Sequence, residues 1–320
     1  MSARPARLGV GVVGAGRVGA VLGHALRAVG HAVVGASGVS QDSLERIDTL
    51  LPGVPVLEVP EVVRRAELVL VTVPDDELEG VVGGLAALGA WQPGQLVLHT
   101  SGHHGTAVLA PAAAAGAITL AVHPAMTFTG TSLDLARLEG TSFAVTCAPA
   151  LEPIGQAIVV EIGGEPVMID EAQRPLYHAA LAHASNHLVV LVAQAAHALA
   201  AAGVAEPGRM LDALVHASLD GALRAASTDA SGDPAGLPGP GAPGAIAALT
   251  GPVSRGDVGT VRGHLEVLAA FGADHQGPDL PASYRTLARA ATSRALAAGR
   301  LGEAQARDLL DALDALDPEH

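Results

Sequence analysis

Three glycines stand between the first apolar run of the chain and the segment that follows it, with the spacing G-x-G-x-x-G. Gly14 permits a tight turn, Gly16 lets the backbone approach a pyrophosphate at a helix N-terminus, and Gly19 lets that helix pack against a sheet. The residues of the segment are Gly14, Ala15, Gly16, Arg17, Val18 and Gly19. The spacing predicts a dinucleotide-binding turn, and a glycine turn without a ligand is the alternative.

The residues at the end of the second apolar run indicate whether NAD or NADP binds. NAD-binding proteins usually carry Asp or Glu there to hold the ribose 2′-hydroxyl, and this chain has no carboxylate in that segment. Ser37 and Ser40 can donate hydrogen bonds, and Arg17 or Arg46 could supply positive charge. We therefore expect NADP(H) rather than NAD(H), although both serines could instead cap the following helix.

Pro74 and Asp75 follow the apolar run Leu68–Val73, which has the composition of a buried strand. In parallel sheets covered by helices, this end of a strand borders the ligand crevice. We expect Pro74 and Asp75 to line a cofactor site, and a helix N-cap is the alternative for Asp75.

Polar residues also follow two later strand candidates. Ser101 comes after Leu96–His99, and His123 comes after Ile118–Val122. Histidine is suited to proton transfer near neutral pH, and a serine hydroxyl can polarise a substrate. The alternatives are a turn cap for Ser101 and a structural, backbone-bonded histidine for His123.

A long segment without helix breakers carries a third polar group. His183 and Asn186 are three residues apart and His183 and His187 four apart, so they share one helix face. The face could orient a substrate, or the histidines could be core residues. The H-x-x-x-H spacing also permits a metal pair, but no further ligand motif supports it, and we expect no metal.

One loop, Thr250–Asp257, contains a further candidate. Thr250 and Arg255 could bind an anionic substrate group. The alternative is a loop before a helix that Asp257 caps.

These residues belong to two halves of different character. Residues 1–169 alternate short apolar runs with helical segments, which predicts a doubly wound (Rossmann) α/β domain with a parallel sheet. Residues 170–320 read as an all-α domain that begins with a helix of about 50 Å. Within that half, 227–244 is rich in Gly, Pro, Ser and Asp and predicts a mobile loop.

Composition limits the partners and the chemistry. The chain has 320 residues and a formal net charge of −14, and all 18 of its basic residues are Arg. The absence of Lys excludes Schiff-base chemistry, and the acidic balance disfavours nucleic-acid binding. A single cysteine, Cys147, suits a reducing compartment, and no run reaches membrane-spanning length without interruption, so we expect a cytoplasmic protein that does not bind membranes.

Several motifs together resemble one family, the Rossmann-like proteins that carry the "domain of unknown function 2520". The matching segments are Gly14–Gly19, Val73–Asp76, His99–Gly102, His123–Phe128, Tyr177–Ala180 and Thr250–Asp257. The resemblance implies an NAD(P)-dependent oxidoreductase similar in plan to pyrroline-5-carboxylate reductases, 3-hydroxyacid dehydrogenases and prephenate dehydrogenases. It also implies a helical second domain and a homodimer.

The resemblance implies roles for only some of the residues. Ser101 and His123 occupy places similar to the Ser and His of prephenate dehydrogenases. His183 and Asn186 have the spacing of the Lys and Asn of 3-hydroxyacid dehydrogenases, with His in place of Lys.

The leading hypothesis is an oxidoreductase that transfers a hydride between NADP(H) and a small, anionic metabolite, such as a keto acid, a hydroxy acid or a cyclic imine. His123 would act as acid or base, Ser101 would polarise the substrate, and His183 with Asn186 would orient it. The alternatives are a binding protein that senses NADP(H) without turnover and an enzyme that reduces NADP with the deazaflavin F420.

Overall fold

The computed structural model describes residues 7–229, 244–274 and 277–315. The chain forms two compact units, one through Ser185 and one from Asn186 onward. The predicted domain boundary after residue 169 stays a prediction. The first three turns of the long helix pack with the first unit.

Seven strands form the sheet of the first unit. They are β1 (Gly9–Val13), β2 (Ala32–Ala36), β3 (Leu68–Val71), β4 (Leu96–His99), β5 (Ile118–Pro124), β6 (Ser142–Thr146) and β7 (Glu165–Met168). Their order is β2-β1-β3-β4-β5-β6-β7. β2 lies on one side of β1, and β3 with the later strands lies on the other, so the order of the strands changes direction between β1 and β3. Ligands bind at such a switch point in open α/β sheets.

The sheet is parallel except at one pairing. β5 and β6 run antiparallel, with Val122 opposite Val145 and Pro124 opposite Phe143. The prediction of a parallel sheet therefore holds for β1 to β5 and for the pair β6–β7. The exception arises because the chain leaves β5 at the carboxyl edge and enters β6 from that same edge, without the crossover that a parallel pair needs.

Between residues 7 and 201, eight α-helices belong wholly or partly to this unit. They are α1 (Arg17–Ala28), α2 (Gln41–Leu50), α3 (Val59–Arg65), α4 (Asp75–Ala87), α5 (Ala110–Ala114), α6 (Leu133–Leu138), α7 (Glu152–Glu161) and the start of α8 (Arg174–Ala201). The sequence reading contains no helix at α3. This helix has only seven residues with a proline in its first turn, so periodicity is weak evidence for it.

Both faces of the central strand β3 are buried. In β3, Leu68 and Leu70 join the core beneath α1 and α2, whereas Val69 and Val71 join the core beneath α3 and α4. All four side chains are at most 1% exposed. The strand is apolar throughout because helices cover both of its faces, as its composition predicted.

The second unit is helical throughout its described residues. Its helices are the later part of α8, α9 (Pro207–Asp229), α10 (Pro252–Arg255), α11 (Val258–Asp274), α12 (Asp279–Ala297) and α13 (Glu303–Asp314). Val261, Leu265, Leu309 and Leu313 are at most 2% exposed and form the centre of its core. α8 has 28 residues, so its length is about 42 Å rather than the predicted 50 Å.

The predicted loop at 227–244 is shorter than expected at both ends. Residues 227–229 belong to α9, and Gly244 begins a short 3-10 turn, Gly244–Ala248. The remaining residues of the prediction, 230–243, lie outside the described residues.

One segment, Glu171–Ala201, is long and apolar enough to cross a membrane by length and composition alone. Only 6% of its most apolar window is buried within the chain. A single such helix is weak evidence for a membrane span.

Candidate functional site

The glycine turn between β1 and α1 is crowded on one side and open on the other. Gly14 has φ +82°, and a Cβ on it would lie 2.9 Å from Val73 Cγ1. A Cβ on Gly19 would overlap Thr72 Oγ1 and lie 2.6 Å from the Gly14 carbonyl oxygen. By contrast, the nearest atom to a Cβ on Gly16 is the Gly14 oxygen at 4.0 Å. Only the middle glycine faces open space, as the approach of a ligand requires.

The helix that follows this turn begins without a side-chain cap. Gly16 occupies the N-cap position of α1 with φ −72° and ψ −157°, and no side chain accepts a hydrogen bond from the first turn. The N-terminus of α1 therefore keeps backbone donors and the positive end of its dipole for an anion. These residues fit the pyrophosphate of a dinucleotide.

Ser37 supports the turn from the end of β2. Its Oγ accepts from the Gly14 N–H at 3.1 Å, and its carbonyl oxygen accepts from the Ala15 N–H at 2.7 Å. Ser40 caps α2, because its Oγ accepts from the Ser43 N–H at 3.1 Å. The alternative capping role is thus present for Ser40, and Ser37 braces the turn. Contact of either serine with a ribose phosphate stays a prediction.

Two arginines lie beside the loop at Gly130. A Cβ on Gly130 would lie 2.8 Å from Arg46 Nε and 2.9 Å from Arg17 Cγ. The loop is fixed by the buried carboxylate of Asp134, which accepts from the Gly130 N–H at 2.7 Å. Arg46 pairs with Asp42 on α2 at 3.5 Å, and the side chain of Asp42 is 77% exposed. Arg17 and Arg46 therefore place two positive charges near the start of α1.

Pro74 and Asp75 lie where β3 leads into α4. Pro74 is the N-cap of α4 and Asp75 is its first residue, so the cap predicted as the alternative for Asp75 belongs to Pro74. Asp75 is half-buried, and its nearby carboxylate offsets only a small part of the lowering of the pKa that burial causes at His99 and His123. Its contact with a cofactor stays a prediction.

His99 and Ser101 organise the loop after β4. His99 is fully buried: its Nδ1 accepts from the Ser101 N–H at 3.1 Å, and its Nε2 lies 2.8 Å from the Gly105 carbonyl oxygen. Burial lowers the pKa of His99 to about 4. Ser101 Oγ accepts from the N–H groups of His103 and His104 at 3.2 and 3.1 Å. Ser101 thus caps the turn, and its predicted contact with substrate remains untested.

His123 pairs with a tyrosine from the start of α8. His123 Nδ1 and Tyr177 Oη are 2.8 Å apart, and the two rings meet edge to face. Burial, with Arg174 and His178 nearby, lowers the pKa of His123 to about 4, and burial raises the pKa of Tyr177. Both side chains are therefore uncharged at neutral pH, and they share one hydrogen bond.

Gly102 makes room for this pair. A Cβ on Gly102 would lie 3.0 Å from His123 Nε2 and 2.9 Å from His178 Cδ2. The ring of His178 lies 6.1 Å from that of His123 and 6.2 Å from that of His103. Within the described ranges, no three His, Cys, Asp or Glu side chains are arranged to hold a metal ion.

Arg174 lies fully buried and joins the loop after β4 to strands β5 and β6. Its guanidinium donates to the carbonyl oxygens of Ser101 at 3.1 Å, Ala121 at 2.8 Å and Ala144 at 2.9 Å. It also donates to Thr146 Oγ1 at 2.8 Å. The sequence reading did not identify Arg174. Arg174 stands beside Asp170, Glu171 and Gln173, where the helix was expected to start, so the sequence carries no signal of its burial.

His183 and Asn186 lie on α8, three residues apart, and both are exposed, as is His187. The alternative of core histidines is therefore wrong for His183 and His187. The role of His183 and Asn186 in orienting a substrate stays a prediction.

Solved structures share this fold at low sequence identity. A proposed NADP oxidoreductase from Bacteroides fragilis is 17% identical, with a TM-score of 0.66 over 89% of this chain and 98% of that chain. An imine reductase from Pseudomonas sp. is 18% identical, with a TM-score of 0.58 over 96% and 99%. Pyrroline carboxylate reductase from Plasmodium falciparum, with NADP bound, is 12% identical, with a TM-score of 0.51 over 92% and 98%. Among functionally curated proteins, no sequence matches.

Family models match most of the chain. Residues 1–124 match a Rossmann-like domain, and residues 141–291 match the domain of unknown function 2520. The second match spans the last strands and the helices that follow. The chain is thus a Rossmann-like protein that carries the domain of unknown function 2520.

Proposed function

We propose that the protein is an oxidoreductase that uses NADP(H). One observation carries the proposal: the open Gly16 position and the His123–Tyr177 pair lie at the same carboxyl edge of the sheet. An anion-binding helix terminus and a proton-handling pair at one edge are what a nicotinamide enzyme needs. The names of the structural neighbours support this reading.

The cofactor would rest on the first turn of α1. The backbone at Gly16 would hold the pyrophosphate, and Arg17 and Arg46 would hold the ribose 2′-phosphate. No carboxylate lies in the segment from Ala36 to Ser40 to repel that phosphate. This charge pattern is the reason for preferring NADP(H) to NAD(H).

Replacing Arg46 with Gln should weaken NADPH binding about tenfold and leave NADH binding unchanged, since only NADPH carries the 2′-phosphate. Isothermal titration with both nucleotides measures the two dissociation constants. Arg64→Gln is the matched control, because Arg64 is an exposed arginine paired with Glu61 on α3. An equal loss for both nucleotides would show that Arg46 acts on something other than the phosphate.

When bound, the nicotinamide would supply or accept a hydride. The protein must then move a proton, and the His123–Tyr177 pair can hold it. In reduction of the substrate, Tyr177 Oη would give up its proton and regain one from His123 Nδ1, 2.8 Å away, and in oxidation the proton would pass the other way. Because the pKa of His123 is lowered to about 4, the pair rests neutral at neutral pH.

Replacing Tyr177 with Phe, or His123 with Gln, should lower kcat about 100-fold, the usual contribution of a positioned acid or base. The dissociation constant for NADPH should not change, because neither side chain lies on the glycine turn. NADPH oxidation with a panel of keto acids and cyclic imines measures the rates. His216→Gln, an exposed histidine on α9, is the control.

The pH profile of the same reaction tests the state of the imidazole. An ordinary histidine would give an inflection near pH ~6.5. With the pKa of His123 at about 4, we expect no inflection between pH ~5.5 and ~7.5 and a change only at lower pH. An inflection near 6.5 that His123→Gln removes would contradict the neutral resting pair.

The substrate is proposed to be a small, anionic molecule with a C=O or C=N bond. Arg174 contributes one buried positive charge, its four hydrogen-bond partners are uncharged, and Glu171 balances it only through space. Two structural neighbours are named for an imine and for pyrroline carboxylate. Saturable NADPH binding without turnover of any keto acid or imine would favour a sensing role instead.

We also propose that the protein acts as a homodimer in the cytoplasm. Large apolar side chains on α8 and α9 are 40% to 69% exposed within one chain. They are Leu176, Val189, Val190, Leu191, Met210, Leu214, Leu219 and Leu223. A second copy with the same helices would cover them.

Light scattering should therefore give a mass of twice 31.8 kDa. Val189→Glu with Leu214→Glu should halve that mass, because a charge buried between apolar helices lacks a partner. Glu303→Gln, at the exposed start of α13, is the control. A wild-type mass of one chain, or one unaffected by the double variant, would contradict the dimer.

A further inference from the structure

The helical unit contains a cavity of its own. It has a volume of about 400 Å³ and lies among α8, α10, α11, α12 and the segment at Leu249. Leu191, Val253 and Leu287 contribute apolar walls. This volume is within the range of small-molecule sites and exceeds the space left by ordinary packing defects.

A buried glutamine in the wall of this cavity has an unsatisfied acceptor. Gln194 is 8% exposed, and its Nε2 donates to Asp279 Oδ2 at 2.7 Å and to Ser283 Oγ at 3.0 Å. Its Oε1 has no hydrogen-bond partner among the described residues. A buried acceptor without a partner costs about 1–3 kcal/mol, so a donor that reaches it binds favourably.

A second polar group faces the same cavity. Tyr284 Oη lies 2.9 Å from His264 Nδ1, and both residues line the cavity. Burial raises the pKa of Tyr284, so its hydroxyl is uncharged at neutral pH. The cavity therefore offers hydrogen-bonding groups on otherwise apolar walls.

The cavity does not suit an ion. No Asp, Glu or Arg is among its described lining residues. Arg255, which the sequence reading offered to an anionic group, instead binds Asp257 through two nitrogens at 2.8 and 2.9 Å. Thr250 lines the cavity without that charge. An anion at this place would lose its hydration without gaining a cationic partner.

We propose that this cavity, in the helical unit and separate from the glycine turn, binds a neutral, largely apolar small molecule through one hydrogen-bond donor. The donor binds Gln194 Oε1, while Gln194 Nε2 keeps its hydrogen bonds to Asp279 and Ser283. The hydrocarbon part of the ligand fills the space between α8 and α12. This site does not depend on the proposed dehydrogenase activity.

The chain has two tyrosines, Tyr177 and Tyr284, which allows a direct test. In the full-length protein labelled with 3-fluorotyrosine, each gives one ¹⁹F signal, and Tyr284→Phe assigns them. Cyclohexanol is the probe, and methoxycyclohexane is the matched control, since it has the same ring but no hydrogen-bond donor. We expect cyclohexanol to shift the Tyr284 signal saturably and to leave the Tyr177 signal in place, without any nucleotide present.

Two variants complete the test. Gln194→Met should raise the dissociation constant of cyclohexanol at least tenfold and remove its advantage over methoxycyclohexane. Ala195→Leu should fill the cavity and abolish binding of both probes, with the wild-type circular dichroism spectrum showing that each variant is folded. The proposal is overturned if the Tyr284 signal does not move, if both signals move alike, or if the ether binds as tightly as the alcohol in the wild type.

Discussion

Replacing Gly16 with Val should abolish NADPH binding and leave the fold intact. A Cβ on Gly16 meets no atom of the protein closer than 4.0 Å, and the backbone there is extended, which valine tolerates. The same side chain would occupy the space through which a pyrophosphate reaches the start of α1. We expect the dissociation constant for NADPH to rise at least ~100-fold, which is about 2.7 kcal/mol of binding free energy.

Stability should change little, by about 1 kcal/mol, because valine is a poor N-cap residue. Gly19→Ala, in contrast to Gly16→Val, should act on the stability of the fold. Its Cβ would overlap Thr72 Oγ1 and press on the Gly14 carbonyl, so the fold itself should be destabilised. Gly84→Ala on α4, where a Cβ meets nothing within 4 Å, is the neutral control.

These variants separate a ligand site from a structural turn. Titration with NADPH and thermal melting, run on all three, give the two readouts. If Gly16→Val binds NADPH within about twofold of the wild type, the open position does not hold the cofactor.

Replacing Arg174 with Met should cause the largest loss of stability among single substitutions at the site. The methionine fills similar space but cannot donate, so the carbonyl oxygens of Ser101, Ala121 and Ala144 lose a charged partner. Hydrogen bonds to a charged group contribute about 1.5–3 kcal/mol each, offset in part by no longer burying the charge. We expect the free energy of unfolding to fall by about 3–5 kcal/mol.

Denaturant unfolding of the full chain, followed by the fluorescence of Trp91, measures this loss in the first unit. Trp91 is the only tryptophan and is 5% exposed. Arg174→Lys should fall between the wild type and Arg174→Met, because lysine keeps the charge without the planar fork. Arg64→Met on exposed α3 should leave the unfolding midpoint unchanged. A midpoint for Arg174→Met equal to that of the wild type would show that the guanidinium does not hold the strand ends together.

Much of the first unit could be predicted because its signals are local. An apolar run of four or five residues bounded by Gly or Pro predicts a buried strand, and β2 and β4 have the predicted bounds. The glycine spacing identifies the turn because each glycine has its own steric reason, which the structure shows at Gly14, Gly16 and Gly19.

What could not be predicted depends on contacts between distant residues. The direction of β6 follows from where its connection runs, and an apolar run has the same pattern in either direction. The hydrogen bond between His123 and Tyr177 joins residues 54 apart. Arg174 resembles a surface residue in the sequence, and its burial follows only from the loop after β4 and strands β5 and β6 meeting around it.

The central claim is that NADPH rests on the glycine turn with its reactive ring beside Tyr177. The ¹⁹F signal of fluorotyrosine 177 during a titration with NADPH tests this claim most directly. We predict a saturable shift in the wild type that Gly16→Val abolishes, with the Tyr284 signal unmoved. No shift at about 1 mM NADPH, or the same shift in Gly16→Val, would contradict the claim.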